Sequence, residues 1–432
     1  MKKLLAILSL TLICQTAQAL PEIQHWKNSN GVRVLFIHAP ELPMLDIRLV
    51  FDAGSAREGQ QWGVAQLTNS LLDHGTQQLN EDELAEQIEG LGAELAVSSL
   101  RDMSMITLRS LTQSPLLTAA TDIMAQVIQQ PSFPAKVFAR EQQRLLAAIK
   151  KQQQSPSTVN SQAFFKNLYG QHPYAHPSSG TMESVQALKR KDILAHYQRF
   201  YVGNNAVLAM VGNINRLQAE ALSRKLTAQL PAGTIAPALD KPKPLTAAKH
   251  VTQNFPSSQT HILLGQLGVS RHDPDYYALY VGNHLFGGSG LVSRLSSVLR
   301  EEHGMAYSVY SYFSPMREAG PFIMGMQTRQ DQADKAVELL REELQKWVLQ
   351  GPAESEVDDS KANIIGGFAL KIDSNAKMTE YLAMIGFYHL PLSYLADFNQ
   401  HIAAVSRQQI IHALKRRIDP QKLIEVRTGK KP

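Results

Sequence analysis

One pattern of strands and helices occurs twice in this chain, about 220 residues apart, and this repetition limits the fold more than any single residue does. The first copy opens with the strand-like runs Arg33–Ile37 and Leu45–Phe51, and the second with His261–Gly265. A Pro-containing turn then leads into a long helix in each, over Ala135–Gln153 and Ser355–Lys371. Each copy closes alike, with a helix (Leu188–Tyr197, Val405–Leu414) followed by an apolar strand (Ala206–Val211, Leu423–Val426) and a glycine. Strands first, long helices next and a closing strand predict an α+β sandwich in each copy, helices packed on one face of a mainly antiparallel sheet. Residues 231–248, rich in Pro, Ala, Lys and Thr, read as a linker. The expected units are 1–19, 20–230, the linker 231–248, and 249–432.

Residues 1–19 have the form of a cleavable export signal. Lys2 and Lys3 precede the apolar run Leu4–Ile13, and Ala17-Gln-Ala19 supplies a small-residue cleavage site. The only cysteine, Cys14, falls inside this segment and lacks the small residue before it that lipidation needs. A mature chain without cysteine has neither disulfides nor thiolate chemistry, and a bacterial periplasm is the expected location. No later stretch has eighteen consecutive apolar residues, so no membrane span is expected. The formal charge of +5 falls to +3 without Lys2 and Lys3, and no basic block points to nucleic acid.

From Gly63 to Thr76 the chain reads GVAQLTNSLLDHGT. Gln66, Asn69 and Ser70 stand at i, i+3 and i+4, so on a helix they share one face. Two imidazoles and a carboxylate at that spacing would hold zinc and take a proton from its water. An amide and a hydroxyl are poor zinc ligands, and neither Asn nor Gln acts as a base near neutral pH. The stretch resembles the zinc-site helix of the insulinase/pitrilysin/processing-peptidase family (peptidase M16), written H-x-x-E-H between the same flanking glycines. The family's remaining ligand is a glutamate in a downstream helix, and the matching segment, REQQRLLAAI over 140–149, has Ala148 in its place. The resemblance covers essentially the whole mature chain. It implies two homologous insulinase-like domains of the LuxS/metallopeptidase type, the first carrying a degenerate zinc site.

Two further stretches support it. His172-Pro-Tyr-Ala-His-Pro177 is similar to an H-P-Y segment of the family's first domain. Its prolines argue against a helix, so it reads as a structural loop rather than a metal site. Residues 286–310, FGGSGLVSRLSSVLREEHGMAYSVY, match the family's second domain. Here Leu291, Val292, Leu295, Val298 and Leu299 predict an apolar helical face, Gly304 a helix end with positive φ, and Tyr307–Tyr312 a strand. The run Gly287–Gly290 lacks the ending of a phosphate loop. Arg300 and Tyr307 resemble the pair that in this family reaches a substrate carbonyl beside zinc in the other half of a closed chamber. Both donate hydrogen bonds to an oxygen gaining charge. The family also adds extended peptides to a sheet edge, but Glu94–Ser99, in the comparable place, is generic and reads as a structural strand.

The resemblance therefore implies a secreted subunit, not catalytic alone and without a cofactor of its own. It would pair as a heterodimer with a zinc-bearing homologue to make a chambered metalloendopeptidase for peptides. The alternative expectation is a non-enzymatic peptide-binding or scaffold protein of the cell envelope. A third, a homodimeric peptidase with an unusual metal site, requires stoichiometric metal in the purified chain.

Overall fold

The computed structural model describes residues 22–430. The expected export segment 1–19, with Cys14, lies outside the described residues. Among the described residues eleven strands form two sheets. The first contains β1 (Gln24–Lys27), β2 (Arg33–His38), β3 (Met44–Phe51), β4 (Glu94–Ser99), β5 (Ser104–Leu111) and β6 (Ala206–Gly212), in the order β1-β2-β6-β3-β5-β4. The second contains β7 (Lys249–Asn254), β8 (Gln259–Leu267), β9 (Val309–Phe313), β10 (Pro321–Arg329) and β11 (Ile424–Gly429), in the order β7-β11-β8-β10-β9. Each sheet has one parallel pair, β2 with β6 and β7 with β11, and is otherwise antiparallel. Apart from the extra edge strand β1, the two sheets share one topology, which is the repeat made visible.

Helices of the first half cover one face of its sheet. Leu116–Gln129 buries Ala120, Ile123, Met124, Val127 and Ile128, the spacing of a helical stripe, against the same cluster as Phe36, Leu49 and Leu208. The opposite face is not left to solvent, as a one-sided sandwich would leave it. The helix Asn375–Phe387, from the second half, crosses β6, β3 and β2 there. Reciprocally, Pro156–Tyr169 of the first half lies across β11 and β8. Each sheet is thus buried on both faces, and β6 is buried at all seven residues.

Glycine permits both crossings. A Cβ on Gly386 would meet Val207 Cγ1 at 2.4 Å, and one on Gly265 would meet Phe164 Cζ at 2.8 Å. Phe164 is fully buried, a burial that contributes about 2 kcal/mol. Polar contacts tie the same junctions: Arg33 donates to the Gly386 carbonyl at 2.7 Å, and the Thr428 hydroxyl meets Asn160 at 2.9 Å. Residues 231–248 form no helix or strand. They are pinned to the first half through Arg57 to the Pro237 carbonyl (2.6 Å) and His172 to the Asp240 carbonyl (2.8 Å). The long second-half helix runs over Glu354–Phe368, with Ala369–Lys371 forming a separate turn.

Candidate functional site

The helix Val64–Ser70 starts from Gly63, whose φ of 94° and whose contact with Val185 leave no room for a side chain. Buried Glu58 caps it, accepting the N–H groups of Gly63 (3.0 Å) and Ala65 (2.8 Å). Burial pushes the Glu58 carboxyl up to about 8, against those two donors, which favour its ionised form. The helix Ala135–Gln152 packs alongside, so the four degenerate positions stand on neighbouring helices.

Their chemistry does not fit zinc. Asn69, 1% exposed, turns its amide nitrogen to the Met105 carbonyl (3.2 Å) and the Tyr201 hydroxyl (3.4 Å). Ser70 donates to the Leu67 carbonyl at 3.1 Å. Gln66 is half-buried, and Ala148 offers an exposed methyl. Among the described residues no group of three His, Cys, Asp or Glu side chains is placed to hold a metal.

An ion cluster that sequence reasoning passed over sits beside this helix. His74 Nδ1 meets Asp73 at 2.9 Å, and its Nε2 lies 3.6 Å from both Glu81 and buried Glu141. Arg140 donates to Glu81 (2.8 Å) and Glu141 (2.9 Å). The hydrogen bond to Asp73 raises the His74 pKa against the opposing effect of burial, and Glu141 and Glu81 add to the rise. The cluster joins the end of the degenerate motif to Ala135–Gln152. Its signal in the sequence was only the adjacency of Asp73 and His74 to that motif.

Arg300 lies in the π-helical turn Ser296–Glu302, and Gly304 ends it with φ of 60°, as expected. The Arg300 guanidinium carbon stands 5.3 Å from the Tyr307 ring centroid, a cation–π pairing. Tyr307 is 87% exposed and precedes β9 rather than opening it. Neither side chain has a hydrogen bond or ion pair among the described residues. One expectation needs correcting. Leu295 and Leu299 are buried, but Leu291 and Val292 are 62% and 86% exposed. Ser293 explains this: it donates to the Gly290 carbonyl at 2.7 Å and accepts the Ser296 N–H, so the helix begins after it. The two apolar side chains are left in the preceding turn Gly290–Val292, beside Ser296–Glu302.

The other motifs are structural. A Cβ on Gly287 would meet the Ser311 nitrogen at 2.5 Å, so this glycine lets its segment lie on β9. Pro173–Ala175 is a single turn, with His172 accepting the Tyr174 N–H and His176 stacked on Trp62 at 5.1 Å. Glu94–Ser99 is the edge strand β4, alternating exposed and half-buried residues.

Residues 33–182 match the family model described as insulinase (peptidase family M16), and residues 187–364 the one described as peptidase M16 inactive domain. The chain belongs to peptidase family M16. A crystal structure of a peptidase M16 inactive domain from Pseudomonas fluorescens is 37% identical, with 95% of this chain and 98% of that one covered and a TM-score of 0.92. An uncharacterized zinc protease of Bacillus subtilis is 24% identical over 83% of this chain and 86% of its own. A non-peptidase homologue from Helicobacter pylori is also 24% identical, over 90% of this chain and 89% of its own. Within family M16 this chain is a non-catalytic member, with no zinc-binding side chain at any of the four matching positions.

Proposed function

We propose that this chain is the non-catalytic subunit of a periplasmic heterodimer with a zinc-bearing M16 homologue, the two enclosing a chamber for peptides. The observation that carries this reading is the contrast between its two half-sites. At the zinc positions Asn69 and Ser70 spend their polar groups on the protein's own backbone carbonyls, Asn69 most completely. At the second-half corner half-buried Arg300 and exposed Tyr307 stand together, without acceptors of their own. A guanidinium and a phenol held side by side donate to a peptide carbonyl as it gains charge, while the partner supplies the zinc and the base. Leu291, Val292 and Tyr307 put exposed apolar surface around the same corner, which supports a covering partner surface there.

The test is purification of the chain with its bound proteins from the native periplasm, followed by peptidase assay of the complex. A zinc-bearing M16 homologue at equal stoichiometry is expected, with Arg300→Ala and Tyr307→Phe each lowering the complex's kcat by about a hundredfold. Unchanged kcat in both variants would overturn the composite site. Recovery of an inert, metal-free chain alone would favour the envelope scaffold.

A further inference from the structure

A cavity of about 730 Å³ lies where the crossing helix Asn375–Phe387 meets the first sheet. None of the degenerate zinc positions, and neither Arg300 nor Tyr307, lines it. One wall is the sheet face carrying Arg48 and Met105, and a second is the crossing helix with Tyr381 and Met384. A third, with Arg271, Tyr276 and Tyr394, comes from the second half. Five cationic side chains line the cavity (Arg48, Arg101, Arg271, Lys371, Lys377) against two carboxylates, Asp102 and Glu380.

Most of these charges are already engaged. Asp102 accepts the hydroxyls of Tyr174 and Tyr388 and the N–H of Arg317. Lys377 is held by Asp373 at 2.9 Å, and Lys371 donates to the Tyr280 hydroxyl at 2.5 Å. Arg101 lies over the Phe165 ring at 3.8 Å and donates to the Tyr174 carbonyl at 3.3 Å. Arg48, Arg271 and the exposed Glu380 are the exceptions. Neither guanidinium has an ion pair or a hydrogen bond among the described residues, and in both Nε is sealed from solvent without an acceptor. The Arg271 guanidinium carbon stands 5.5 Å from the Tyr388 ring centroid. Asp46 feels the charge of Arg48 without bonding to it, so two half-buried arginines with no directly bonded carboxylate, in a cavity with excess positive charge, leave donors free for an anion.

The remaining lining says which kind. Tyrosine, phenylalanine and methionine side chains surround the arginines, so a bare inorganic anion would leave most of the wall uncovered. A peptide C-terminus with an apolar last residue brings a carboxylate and an apolar side chain on one Cα, which an internal Asp or Glu does not. We propose that this cavity binds the C-terminal carboxylate of a peptide, with Arg48 and Arg271 holding the anion and the aromatic walls holding the last one or two side chains. The choice of a peptide over other organic acids rests on the proposed function. Tyr381, pushed up to about 12 chiefly by burial, is a neutral hydroxyl donor at physiological pH.

Calorimetric titration of the purified full chain, without any partner, tests this. The probes are Ala-Ala-Leu-Phe with a free carboxylate, the same peptide as its C-terminal amide, and N-acetylphenylalanine. The free acid is expected to bind at least about tenfold tighter than the amide. Arg48→Gln and Arg271→Gln should each raise its Kd by about tenfold or more. Arg294→Gln, at a cavity elsewhere in the second half, should leave it unchanged. Equal affinity for acid and amide, or no binding of either, would overturn the proposal and needs only the wild-type chain. Tighter binding of N-acetylphenylalanine than of the peptide would reassign the cavity to small organic acids. The titration involves neither turnover nor a partner, so its failure leaves the composite site standing, and failure of that site leaves this result intact.

Discussion

Tyr388 donates its hydroxyl to the Asp102 carboxylate at 2.9 Å across 286 positions of sequence, joining a loop of the first half to the end of the second half's crossing helix. The same carboxylate takes the Tyr174 hydroxyl at 2.5 Å and the Arg317 N–H at 2.8 Å. Asp102 is only 4% exposed, so these three donors replace its water.

Removal of that acceptor should be costly. Asp102→Ala leaves two buried hydroxyls and one backbone N–H without their partner. A loss of about 3 kcal/mol or more is expected in urea denaturation. Tyr388→Phe, which deletes one donor and keeps the ring, should cost less, about 1–2 kcal/mol.

The interlocked helices predict that neither half folds alone. Residues 22–230 would carry Pro156–Tyr169 with its apolar face uncovered, and their sheet would lack Asn375–Phe387. Each half expressed alone should be insoluble or lack a cooperative melt, while co-expression restores a soluble pair on size-exclusion chromatography. Gly386→Val should weaken the same junction by about 1–3 kcal/mol, because the added carbons collide with Val207.

Asn69 is a buried donor, so an acid placed there meets acceptors. In Asn69→Glu the carboxylate would face the Met105 carbonyl, and the longer side chain would crowd a closed site. A loss of about 2 kcal/mol is expected. Zinc should not raise the melting temperature of this variant, because Ser70 and Ala148 add no ligand.

His74 gives a pH dependence of definite sign. Its pKa is raised above the ordinary histidine value of 6.5, first through the hydrogen bond to Asp73. A raised base contributes stability that is fully present below its unfolded pKa and is lost as pH rises through its folded pKa. Wild-type stability relative to His74→Gln should therefore be greatest below about pH 6 and decline as the pH rises above 6.5. Urea titrations of both proteins across that range check this, and a gap that widens with pH would contradict it.

Much of this protein was legible in the order of its residues. The repeat, the strands β2, β3, β4, β6, β8, β9 and β11, the long helices Ala135–Gln152 and Glu354–Phe368 and the loss of zinc ligands at Gln66, Asn69, Ser70 and Ala148 follow from local patterns, because periodicity and donor chemistry are properties of neighbouring residues. The same locality explains the error at Leu291 and Val292. Their spacing fits a helical face, but the Ser293 cap, a detail of backbone geometry, starts the helix after them.

How distant segments share a surface is set by long-range packing. Asn375–Phe387 shows little apolar sidedness because it is buried against more than one neighbour, so nothing in its sequence says that it covers the sheet of the other half. The Asp102–Tyr388 link and the cavity holding Arg48 and Arg271 arise at that crossing. They depend on residues hundreds of positions apart that become neighbours only when two sheets exchange a helix. Local residue patterns specify two α+β units and a first half without side chains suited to hold zinc. The exchange of helices, driven by apolar sheet faces that one half cannot cover alone, made them one body.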